Sequence, residues 1–90
     1  MELEKLQEAS EILEQAAEEA TDEDVRERIN TQAEQIGKLA DRNRGPDHGR
    51  LARHMHALQD LVDDTDGEVA AHVEDALESV RAYRETVSGV

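Results

Sequence analysis

Apolar residues recur every three or four positions in four separate stretches of the chain, and no stretch alternates with the period of two that marks a strand. From about Glu2 to Ala20, Leu3, Leu6, Ser10, Leu13, Ala17 and Ala20 form one stripe, with Ala9, Ile12 and Ala16 beside it. From about Asp22 to Arg42 the stripe is Val25, Ile29, Ala33, Ile36, Leu39 and Ala40. From about His48 to Asp63 it is Leu51, Met55, Leu58, Leu61 and Val62. From Asp66 to about Ser88 it is Val69, Val73, Ala76, Leu77, Val80, Tyr83 and Val87. Stripes this wide are stable only when buried against other helices. The pattern predicts an all-α fold: two antiparallel helical hairpins, residues 2–43 and 47–88, forming a small bundle within one domain, 1–90.

The breaks fit that division. Arg44-Gly45-Pro46-Asp47 separates the hairpins: Gly45 tolerates positive φ, Pro46 fixes φ and removes a donor, and Asp47 is suited to cap the third helix. The two tighter junctions, Thr21-Asp22-Glu23-Asp24 and Thr65-Asp66-Gly67-Glu68, share a wording in which Thr caps a helix start and the acid three residues later reaches back. They lie 44 residues apart, and Val25, Ile29, Ala33 and Ile36 align at that offset with Val69, Val73, Leu77 and Val80. The alignment is compatible with an internal repeat and equally with the shared demands of helix packing.

Composition narrows the fold further. The only aromatic residue is Tyr83, so a core must be built from Leu, Ile, Val and Ala. A core this thin in a chain of 90 residues points to completion by homodimerisation. The absence of Cys excludes disulfides and thiolate zinc sites. No apolar run is long enough for a membrane span, and Met1-Glu2-Leu3-Glu4-Lys5 is unlike a signal peptide, so a cytoplasmic protein without a membrane partner is expected.

Charge changes the picture most. Twenty-three acids stand against ten Lys and Arg, for a net charge of −13. An acidic surface poor in Lys suits a high-salt medium, where ions screen self-repulsion. Along the chain, residues 1–24 carry −9, residues 25–59 carry +3 and residues 60–90 carry −7. The basic island is densest from Arg42 to His56, and its Arg44, His48, Arg50 and Arg53 form the candidate site for a phosphate, a carboxylate or an acidic partner. Arg offers a planar fork of donors, and a helix beginning near His48 adds unpaired N–H groups. The plainer reading of the same residues is that they neutralise the protein's own carboxylates, within one chain or across a dimer.

Other chemistry fits less well. His54 and His56 lie two apart, about 200° around a helix, His48 and His54 are six apart and would need a long reach, and His72 lies on another helix; no metal or cofactor is expected, and His54 and His56 are placed at the edges of the stripe beside Met55. There is no Cys nucleophile, the Ser residues lack a neighbouring His-Asp set, and no Gly-rich phosphate loop occurs, so no enzyme is expected. A +3 segment between strongly acidic flanks is a poor footprint for nucleic acid. The first helix is the better binding element: Leu3, Leu6, Leu13 and Ala17 make a narrow seam that serves either a partner helix or the chain's own core.

The run from Arg44 to Arg53, Arg-Gly-Pro-Asp-His-Gly-Arg-Leu-Ala-Arg, followed by Leu58, resembles a family of small, acidic, helical proteins of haloarchaea with no assigned function. The resemblance implies an all-α cytoplasmic protein from a salt-rich cell and supplies no site residues. The function expected from these readings is a non-enzymatic helical interaction module, with small-anion binding at the central Arg/His segment as the alternative.

Overall fold

Each of the four stripes forms a helix. The computed structural model describes residues 3–41 and 48–87, and side chains over 4–40 and 51–85, giving α1 (Leu3–Glu19), α2 (Glu23–Asp41), α3 (His48–Asp64) and α4 (Gly67–Val87). Among the described residues there is no strand. The Gly45-Pro46 linker, with Arg44 and Asp47, lies outside the described residues.

The helices form an antiparallel bundle around one core. The central packing is of α1 against both α2 and α4, and α4 also packs on α3; α2 and α3 meet only lightly. The pairing of ends fixes the directions. Glu19, at the end of α1, meets His72 near the start of α4, and Arg28 in early α2 reaches Asp64 at the end of α3 at 3.1 Å. The bundle measures 40 × 21 × 19 Å, about two helix diameters along each of its two short axes.

Leu6, Leu13, Ile29, Ile36, Leu51, Leu58, Leu61, Val73 and Val80 are fully enclosed, and Tyr83 is buried with them. Helix α1 contributes mostly small side chains, with Ala9, Ala16, Ala17 and Ala20 all buried, which lets its backbone come close to two neighbours at once. Ser10 continues this pattern: its hydroxyl donates to the Ala33 carbonyl oxygen of α2 at 2.8 Å. One turn on, Gly37 leaves the room, because a Cβ there would stand 3.1 Å from Ser10 Oγ.

The two hairpins repeat each other, with a shift. Burial along α2 and α4 matches at an offset of 44: Ile29 with Val73, Ala33 with Leu77, Ile36 with Val80, Leu39 with Tyr83. Along α1 and α3 it matches at 45: Leu6 with Leu51, Ala9 with His54, Leu13 with Leu58, Ala16 with Leu61. The second connection is therefore one residue shorter, Thr65-Asp66 against Ala20-Thr21-Asp22.

That difference reassigns the caps. At the first junction Asp22, not Thr21, caps α2: its Oδ1 accepts from the N–H groups of Asp24 and Val25 at 2.9 and 3.3 Å. The other side of the junction is closed by Arg26, whose guanidinium donates to the Ala17 and Ala20 carbonyls that end α1, at 3.2 and 2.7 Å. At the second junction Thr65 does not open α4 as expected; its hydroxyl donates back to the Leu61 carbonyl at 2.6 Å and so closes α3. The tighter turn instead relies on Gly67, which has φ 63°. Nothing lies within 4 Å of where its Cβ would be, so only backbone strain opposes a side chain there. Gly67→Ala is expected to destabilise the fold by about 1–2 kcal/mol, the penalty of a left-handed residue with a Cβ. Urea unfolding measures this, with an unchanged midpoint as the contrary result.

Candidate functional site

Each hairpin leaves a groove on its outer side, and the two grooves are opposite in charge. Between α1 and α2 the walls are Gln7, Ser10, Glu11 and Glu14 against Ala33, Glu34, Gly37 and Lys38, around about 470 Å³. Lys38 is held by Glu34 at 3.5 Å across one helical turn. Glu11 and Glu14 are left without an ion-pair partner among the described residues, so this groove is anionic.

Between α3 and α4 the corresponding groove encloses about 210 Å³. Ala52, Met55, His56 and Gln59 form a row on α3, one or two turns apart, and Leu77, Arg81 and Arg84 form the facing row on α4. The buried Leu77 and the half-buried Met55 make an apolar floor. Arg81 donates to Glu78 at 2.9 Å, an exposed pair at one helical turn that contributes about 0–1 kcal/mol. Arg84 is half-buried and has no ion pair among the described residues. Gln59 donates to Asp63 at 3.3 Å at the far end of the row. Where hairpin 1 has Gly37 close against Ser10, hairpin 2 has Arg81, so the repeat itself puts a guanidinium where the first groove has no side chain.

Of the residues marked by the sequence, Arg53 lies on the exposed, outward side of α3 next to His56, without an ion-pair partner among the described residues, and does not line the groove. Arg44 lies outside the described residues; His48 and Arg50 stand in the first turn of α3, with their side chains outside the described ones. Leu6, Leu13 and Ala17 are buried inside the chain's own bundle, and Leu3 opens α1 with its side chain likewise outside the described ones. Arg26 and Arg28, from the basic island, are committed to the α1 terminus and to Asp64.

His54 and His56 part company. His56 is exposed, but His54 is buried rather than at the stripe's edge, its Nδ1 within 2.7 Å of Gln32 Oε1 on α2. The reason is visible in the repeat. Ala9 and Ala76 occupy the positions of His54 and Gln32 at the closely packed α1–α4 contact, whereas at the lightly packed α2–α3 contact the larger polar pair fills the space. Met55 is the residue at the edge. Every buried side-chain nitrogen or oxygen among the described residues has a hydrogen-bond partner. No three His, Asp or Glu among the described residues are grouped to hold a metal ion.

The groove cations Arg81 and Arg84 escape a count of charge along the chain, which folds them into an acidic segment. They are its only two bases, three apart on one helix, and that spacing is the signal that marks them. No described helix is long and apolar enough to cross a membrane. No curated protein and no solved structure shows significant similarity to this chain. A family model matches residues 1–86, nearly the whole bundle, and by it the chain belongs to a family of unknown function, DUF7553.

Proposed function

We propose that the protein is a non-enzymatic helical interaction module of a salt-rich cytoplasm, and that it engages its partner through the outer face of α3 and α4. The observation that carries this reading is a local failure of self-neutralisation. In a chain with 23 acids, the guanidiniums of Arg53 and Arg84 are left without a carboxylate partner among the described residues. Arg pairs readily with carboxylates, so cations kept unpaired amid such an excess of acid are available to a carboxylate from elsewhere. The half-buried Met55 lines the groove with Arg84 and gives that side of the face an apolar component, the combination that interface cores favour.

Homodimerisation is one form this function can take. The core does not demand it, since the long apolar side chains of all four helices close on one another within a single chain. The test is light scattering coupled to size exclusion in molar KCl, with cross-linking in an extract of the source cells, for the wild type and an Arg53→Glu/Arg84→Glu variant. The wild type is expected to form a discrete complex, with itself or another protein, that the variant loses while keeping its helical circular dichroism. A wild type and a variant that are both monomeric and both uncross-linked would overturn the reading.

A further inference from the structure

We infer that the α3–α4 groove is a docking site for an acidic amphipathic helix of another protein, seated by an aliphatic side chain on Met55 and Leu77 with its carboxylates on Arg84 and Arg81. The inference rests on the interaction-module reading and adds the class of partner. Three observations select it.

The first is size. About 210 Å³ is less than the roughly 300–1,000 Å³ of a site for a drug-sized molecule, but it admits one or two side chains of a helix laid along it. The second is the pattern of the walls. The rows on α3 and α4 place apolar floor and polar rim at helical spacing, which matches a partner presenting Leu and Glu at i, i+3 and i+4. The third is charge complementarity. The rim holds Arg81, Arg84, His56 and Gln59, all able to donate to a carboxylate, and the acids paired into it among the described residues are the exposed Glu78, on Arg81, and the exposed Asp63, on Gln59. A carboxylate arriving at Arg84 displaces no existing ion pair among the described residues.

A second copy of this chain is the less suitable occupant. Its matching anionic surface is the α1–α2 groove, where Glu11, Glu14 and Glu34 offer charge, while the neighbouring leucines Leu6 and Leu13 are sealed in the core. That groove also lies on the opposite hairpin, so the contact would be head-to-tail and would propagate rather than close. In molar salt the Debye length shrinks to about 3 Å, so selectivity for acid has to arise from direct Arg–carboxylate contact. The apolar floor retains its strength there.

The experiment uses three fluorescent Ala-based helical peptides of roughly 14 residues. One carries a Leu–Glu stripe at i, i+3 and i+4, one has Gln in place of each Glu, and one has Ala in place of each Leu. Anisotropy in molar KCl gives affinity, and ¹⁵N chemical-shift mapping gives the site. The Leu–Glu peptide is expected to shift Met55, His56, Gln59, Leu77 and Arg84. It should bind about tenfold or more tightly than either control, as expected from loss of a charge-assisted contact in one and of a buried Leu side chain in the other. Arg84→Gln is expected to remove the preference over the Gln peptide, and Ala52→Glu, which places a carboxylate in the groove without touching the core, to weaken the Leu–Glu peptide alone. Equal binding of the Gln peptide in the groove would overturn the acidic partner and leave the module reading standing. Absence of shifts with all three peptides would overturn the docking site, while the cross-linking result judges the module reading independently. Groove shifts that appear on raising the protein concentration without peptide would name a second copy as the occupant and overturn the proposal.

Discussion

Moving the protein from molar KCl to salt-free buffer is expected to lower its melting temperature by about 10–20 °C, corresponding to about 2–3 kcal/mol for a domain of this size. The loss originates largely on α1. Glu8, Glu11, Glu14 and Glu18 are exposed at spacings of three and four, and like charges at such spacings each cost about 0.2–0.5 kcal/mol. The last turn of α1 carries Glu18 and Glu19 with no base of its own, against the helix dipole, and depends on Arg26 from α2 for its cationic cap. Beyond these neighbours, two like charges 10 Å apart in water repel by about 0.4 kcal/mol, and a net charge of −13 multiplies such pairs. Salt removes the longer-range part first, since the Debye length falls from about 30 Å at 0.01 M to about 3 Å at 1 M. Melts followed by circular dichroism across this range should show a steep rise that flattens near molar salt. A melting temperature independent of salt would remove the case for adaptation to a high-salt medium.

The helices are legible in the sequence because each stripe is long, regular and flanked by residues that end helices; the observed bounds fall within a residue or two of those read from the apolar pattern. The finer features are decided by contacts that periodicity does not encode. Thr21 and Asp22 are both competent caps, and the choice between them depends on where Ala20 leaves α1. Aligning the repeat on its junctions hides the one-residue difference between the two connections, because the spatial match of α1 with α3 is at 45. His54 is a core residue because the fold places it opposite Gln32, a long-range pairing with no local signature.

The candidate site shows the same limit. Density along the chain draws attention to Arg44, His48, Arg50 and Arg53, and of these the structure describes the side chain of Arg53 alone. The cationic groove is assembled from α3 and α4, so its charge is invisible to any sum over a contiguous segment. Arg81 and Arg84 line the groove because antiparallel packing brings α4 alongside the α3 row of Ala52, Met55, His56 and Gln59.

Leu13→Ala is expected to cost about 3–4 kcal/mol, within the range of about 2–5 for burying an Ala where a Leu was packed. For a chain of 90 residues, total stability is of the order of 5–13 kcal/mol, so the variant should lose a substantial share of it. Leu13 is fully enclosed on the helix that packs against both α2 and α4, and its neighbours on the buried face, Ala9, Ala16 and Ala17, are too short to move into the space. The cavity therefore persists instead of collapsing, which places the cost toward the upper part of the range. The same variant separates an intramolecular core from an intermolecular seam, because Leu13 is a sequence candidate for both. A core residue lowers the melting temperature by the same amount at about 5 µM and about 200 µM, since folding of one chain is independent of concentration, whereas an obligate interface makes the melting temperature rise with protein. The structure predicts the first result, with the mass in solution unchanged by the substitution. A loss that shrinks as protein is added would place Leu13, and with it Leu6 and Ala17, between chains, and the bundle would then have to open along α1 to present them.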